Sequence, residues 1–152
     1  MILTPAERRR AVHQVTDKLE AFHQAASDAD AEAYFAHFAE EGVFLGTDAT
    51  ERWSVAQFRA YAEPHFASGR GWTYTSTQRN VSVSDDGSFA WFDELLASTK
   101  LGTCRGSGVL RLDQDGWRIL HYSLTLPVPN ELALQIAKTI RAHEVHERLE
   151  GQ

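Results

Sequence analysis

The sequence predicts an α+β fold: helices first, then a curved and strongly antiparallel sheet that the helices cover on one face, then a closing helix. Three observations carry this. Capping boxes at Thr4-Pro5-Ala6-Glu7 and Ser54-Val55-Ala56-Gln57 each precede apolar residues at helical spacing. From Trp72 to Thr125 the chain alternates over strand-length runs separated by turn residues. Within that stretch, Cys104 to Asp113 and Gly116 to Thr125 flank Asp115-Gly116, a strong short-range signal for a hairpin.

Each element has its own reason. Pro5 suits a first helical position, and Val12, Val15, Leu19 and Phe22 make one apolar stripe. Ser27-Asp28-Ala29-Asp30 ends that helix and opens a second, with Ala33, Tyr34, Phe35 and Phe38 inward and Gly42 as its stop. Val43 to Asp48 reads as a short strand. A third helix from Ser54 turns Phe58, Tyr61 and Phe66 inward, and Pro64 with Gly69-Arg70-Gly71 closes it. Strands are expected over 72–83 and 89–98, with a turn at Thr99 to Gly102 leading into the hairpin. Pro127 and Pro129 break the last strand, and Asn130 caps a final helix striped by Leu132, Ile136 and Ile140. The expected organisation is one domain over 4–128 and a helical extension over 129–152.

Composition narrows the function. With 43% hydrophobic and 24% charged residues, the 152-residue chain has an ordinary globular make-up. A net charge of −6, with Arg8-Arg9-Arg10 as the only basic run, argues against a nucleic-acid partner. No stretch approaches the ~20 apolar residues of a membrane span. The start lacks the apolar run of a secretory leader and Cys104 is the lone cysteine, so a reducing, cytoplasmic setting is expected. His143 and His146 lack metalloprotease spacing and read as a solvated helix face, so neither a metal nor a cofactor is expected.

The element order carries particular motifs: Phe38-Ala-Glu-Glu-Gly-Val-Phe44, Trp91-Phe-Asp-Glu94, Cys104-Arg-Gly-Ser-Gly-Val-Leu110 and Gly116-Trp-Arg-Ile-Leu-His-Tyr122. With these motifs the chain resembles the nuclear transport factor 2-like (NTF2-like) superfamily, and within it the SnoaL-like group, over residues 8 to 130. The resemblance implies a cone: a curved sheet wrapped by helices, with an internal pocket and a homodimer formed across the sheet. It also implies where a steroid isomerase of this superfamily would keep its groups. The aspartate base falls on Gly46, the oxyanion-hole tyrosine on Phe22 and the second aspartate on Gly108, so that standard site is absent.

Register counted from the turns predicts one row across the sheet: Arg79, Asp93, Gly108, His121. Asp93 and His121 are then the candidate proton carriers, with Arg79 beside them and Gly108 leaving an open slot. Alternation sends Glu94 to the opposite face. Asp48 and Arg52 are expected near the pocket mouth, Trp53, Trp72, Tyr74 and Trp91 as apolar walls, and Cys104 as a thiol on the glycine face with nothing beside it to lower its pKa. The leading expectation is a domain that binds a small organic molecule in a mostly apolar internal pocket. One alternative is a cofactor-independent lyase, isomerase or cyclase; another is a dimeric assembly module using Arg105, Ser107, Val109 and Arg111.

Overall fold

The computed structural model describes residues 1–151. The chain forms α1 (Pro5–Ser27), α2 (Ala31–Ala36), β1 (Phe38–Leu45), β2 (Arg52–Ser54), α3 (Val55–Ala67), β3 (Thr75–Val83), β4 (Phe89–Ser98), β5 (Gly102–Asp113), β6 (Gly116–Thr125), a 3-10 turn at Asn130–Leu132, and α4 (Ala133–Glu150). The strands make one curved sheet in the order β2-β1-β6-β5-β4-β3. All neighbours are antiparallel except β1 and β6, which run parallel. The predicted α+β layout is the one observed.

Both capping boxes form, on Thr4 with Glu7 and on Ser54 with Gln57. The α1 stripe buries Val15, Leu19 and Phe22 against the inner face of the sheet, where Phe92, Leu96, Cys104, Leu110 and Ile119 join the same core. Tyr34 and Phe35 of α2 and Phe58 and Phe66 of α3 complete it. The Cys104 thiol sits in that core, and burial raises its pKa.

Several expected boundaries move. Helix α2 stops at Ala36 because the His37 carbonyl accepts from the Ile119 amide at 2.8 Å, which draws Phe38 into the sheet. Pro64 lies inside α3 rather than ending it, and the helix runs on to Ala67. Trp72 to Tyr74 precede β3 instead of belonging to it. The Trp72 amide donates to the Ala26 carbonyl at 3.2 Å, and a Cβ at Gly71 would stand 1.9 Å from that oxygen, so glycine permits the crossing. The short strand β2 is an addition. Asn130 makes no side-chain cap, and α4 has no buried residue, so its apolar positions Leu134 and Ile140 stay exposed.

Register differs from the turn count by one residue in two hairpins. Gly102, at φ 76°, pairs directly with Ser98 and shortens the β4–β5 turn. In the β3–β4 loop the Ser84 amide donates to the Phe89 carbonyl at 2.8 Å, and the Asp86 carboxylate binds the Ser84 and Ser88 hydroxyls. That tighter loop pairs Val83 with Ala90. Between β5 and β6 the expected Leu112–Trp117 pair is present, but a bulge at Val109/Leu110 then shifts Gly108 onto Tyr122. The resulting row reads Arg79, Glu94, Gly106, Leu124.

Candidate functional site

A cavity of about 160 Å³ opens between the helices and the inner face of the sheet. Its walls are aromatic. Phe44, Phe58, Trp53 and Tyr61 stack in a near-parallel tier, with Phe44–Phe58 centroids 4.1 Å apart at 17° and Trp53–Phe58 centroids 5.3 Å apart at 7°. Trp72 and Tyr74 face them from the segment ahead of β3. Gly46, Thr47, Glu51 and Leu101 form the remaining rim, and Phe22, His23, Tyr34 and Tyr122 also line the chamber.

Beside His23 and Tyr122 lies the main buried polar cluster. Glu94 Oε1 accepts from Tyr122 Oη at 2.7 Å and from His23 Nε2 at 2.7 Å, while Oε2 accepts from Arg79 Nε at 2.8 Å. Arg79 Nη1 continues to Glu20 Oε1 at 2.6 Å on the surface of α1. Glu94 is 1% exposed. Burial alone would raise its carboxyl pKa, but the bonds from His23 and Tyr122 and the charge of Arg79 outweigh it and hold the pKa below the ordinary value. Burial pulls Arg79 the other way, and its two glutamate partners restore and raise its pKa. Tyr122, desolvated and next to the carboxylate, is held well above the usual phenol range and stays neutral.

An ionised Glu94 fixes the direction of its bond to His23. It can only accept, so His23 Nε2 carries the hydrogen and Nδ1 is the ring nitrogen left for another partner. Room for the cluster comes from Gly106, opposite Glu94. A Cβ there would lie 2.1 Å from Tyr122 Oη and 3.0 Å from Glu94 Oε1.

The anticipated residues divide. Trp53, Trp72 and Tyr74 line the cavity, and Arg79 joins the polar cluster. Asp93 and His121 lie exposed on the outer face: Asp93 pairs with Ser107 and accepts from Asn80 Nδ2 at 3.0 Å, and His121 pairs with Val109. The expected row of Arg79, Asp93, Gly108 and His121 is therefore not formed. Gly108 is filled rather than open, since a Cβ there would meet the His121 carbonyl at 2.0 Å and the Phe92 ring at 3.1 Å. Trp91 is 51% exposed on the outer face. Asp48 and Arg52 are exposed, with Asp48 bonded to the Thr50 amide and hydroxyl beyond the rim. Cys104 is absent from the cavity lining.

His23, Glu94 and Tyr122 are the residues that the turn count missed. One signal was available. Ala90, Phe92, Glu94 and Leu96 alternate with period two, and the apolar members share the inner face, which takes Glu94 with them.

The SnoaL-like domain profile matches residues 15–129, a span holding the cavity and the whole polar cluster. The chain belongs to the SnoaL-like domain family. Solved structures with the same fold include an NTF2-like protein of unknown function from Pseudomonas putida KT2440, 18% identical, with a TM-score of 0.68 over 81% of this chain and 91% of that one. A protein of unknown function from Mycobacterium tuberculosis is 19% identical, with a TM-score of 0.69 over 85% of this chain and 79% of that one. A domain with a cystatin-like fold from Nostoc punctiforme PCC 73102 aligns over 99% of this chain and 100% of its own, at 13% identity and a TM-score of 0.66. At these identities the likeness is one of fold. No curated protein matches. Among the described residues no helix is long and apolar enough to cross a membrane, and no group of three or more His, Cys, Asp or Glu side chains could hold a metal ion.

Proposed function

We propose that this SnoaL-like protein binds a small, flat, mostly apolar organic molecule, about one aromatic ring in size, in the inner cavity. The observation that carries this is the chamber itself: about 160 Å³, aromatic-walled, with His23 and Tyr122 among its few polar linings. An apolar cavity of about 150 Å³ is known to accept benzene, so a single ring fits and a four-ring steroid does not. The tier from Phe44 to Tyr61 offers parallel faces on which a planar ligand can stack. The binding unit is residues 4–128, with the helix beyond as an appendage, and the exposed Phe89 and Trp91 of the outer face suit a homodimer. The buried lone thiol fits a cytoplasmic setting.

Titration of phenol and indole, followed by calorimetry, tests the reading. Saturable binding is expected, weakened at least tenfold by Trp53→Ala, about 1.4 kcal/mol for one lost stacking face. No saturable binding of either probe to the folded protein would overturn it.

A second reading, proton transfer in the same cavity, is favoured by one observation. Glu94 accepts from His23 Nε2 and so orients the ring, with Nδ1 as its second nitrogen, an arrangement that suits a general base. In that reading His23 replaces Asp93 and His121 as the proton carrier of a cofactor-independent lyase, isomerase or cyclase.

A further inference from the structure

We infer that a second site, separate from the cavity, holds a small tetrahedral oxyanion such as phosphate where α1, the start of β1 and β6 meet. Helix α1 is fixed to β6 there by Trp117 Nε1, which donates to Gln14 Oε1 at 3.1 Å. Lys18 lies one helical turn beyond Gln14 and on the same face, so it stands beside the same strand. Gln14, Lys18 and Arg118 line one groove together with the β5–β6 turn. His37 adjoins it through the bond from the Ile119 amide to its own carbonyl. Its ring packs edge-on to Phe22 at 6.1 Å, and Phe22 lines the cavity on the other side.

What distinguishes this groove is donors without acceptors. Among the described residues the Lys18 ammonium makes no hydrogen bond or ion pair, and the one side-chain bond of Arg118 is Nη1 to the Trp117 carbonyl at 3.0 Å. His37 Nδ1 is buried with no partner. Lys18 and Arg118 thus line the groove with no carboxylate bonded to either, and His37 stands beside it. The acidic groups of the groove are Asp113, held by Arg111 at 2.6 and 3.2 Å, and Asp115, exposed on the turn. Electrostatics agree with the geometry. Burial and then Arg118 lower the Lys18 pKa; burial, then Lys18 and Arg118, lower that of His37 to about 4. A dianion between Lys18 and Arg118 relieves their mutual repulsion and accepts from both, with the His37 ring beside it as a reporter of the added charge.

The sign of the pH dependence is fixed by that direction. The neutral His37 ring is favoured in the folded protein, so its contribution to stability is full above the ordinary histidine pKa of 6.5 and is lost as pH falls toward about 4. A bound oxyanion favours the imidazolium and weakens that dependence.

The experiment follows the His37 ring by NMR while inorganic phosphate replaces chloride at constant ionic strength, with glycerol phosphate as a parallel arm. Saturable shifts are expected, and the titration midpoint of His37 climbs from about 4 toward the ordinary range. Saturation with either probe supports the site, and the tighter one names the source of the anion. Lys18→Met and Arg118→Met are expected to abolish saturation while the protein stays folded, because each removes a charge with no carboxylate partner; Lys18→Arg keeps binding. A non-saturating response to both probes, or one unchanged in Lys18→Met and Arg118→Met, overturns the inference.

Discussion

Asp93 and Glu94 are consecutive acidic residues on β4, and the two faces of one sheet treat them oppositely. On the outer face Asp93 is exposed and meets the amide of Asn80, and His121 lies on the same face with water for company. On the inner face Glu94 is sealed from water and accepts from three different side chains. A charge in water contributes little wherever it sits, whereas a charge in the core must be matched or it destabilises the fold. The difference teaches that on this sheet burial, not accessibility, decides which acid is built into a network of partners.

The contrast can be broken from the inside first. Glu94→Ala leaves Arg79 buried beside an empty carboxylate position and is expected to cost about 3–5 kcal/mol of unfolding free energy, read by urea denaturation. A loss as small as that of a surface change would mean the inner cluster is solvated after all. A smaller effect is expected from Gly106→Ala, whose methyl would displace the Tyr122 hydroxyl from Glu94. An unsatisfied buried group of that kind costs about 1–3 kcal/mol, and the same denaturation series measures it. Least of all, Asp93→Asn and His121→Ala should stay within about 0.5 kcal/mol of the parent. They should also leave phenol and indole binding unchanged, and weakened binding in either variant would return the site to the outer face.

Much of the architecture was legible because it rests on local chemistry. Thr4 and Ser54 announce their helices through side-chain caps, and Asp115-Gly116 sets the last hairpin by its turn geometry. The site depends on register, and register rests on quantities that a count of residues does not fix. Whether Gly102 belongs to the turn or to the strand, and whether β6 carries a bulge near Leu110, each moves a side chain across the sheet. Trp53, Trp72 and Tyr74 were readable as walls from their aromatic character, whereas Trp91, whose side of the sheet is set by alternation along β4, faces outward. His23 was not, since nothing in the α1 stripe distinguishes a histidine at its edge from a solvated one until Glu94 is placed opposite.

The lone parallel pairing has a consequence for how the molecule is made. Strand β1, which ends at Leu45, is held in the sheet by β6, whose last residue is Thr125, and no neighbour other than the three-residue β2 supports its opposite edge. During synthesis the hairpins from β3 to β5 can assemble as they emerge, but the early strand must wait for the late one across some eighty residues of chain. The aromatic chamber, walled on one side by Phe44 of β1 and Tyr122 of β6, cannot close until that long-range pair has formed. A chain halted before Gly116 lacks β6, the strand that joins β1 to β5, and with it the Tyr122 wall of the chamber.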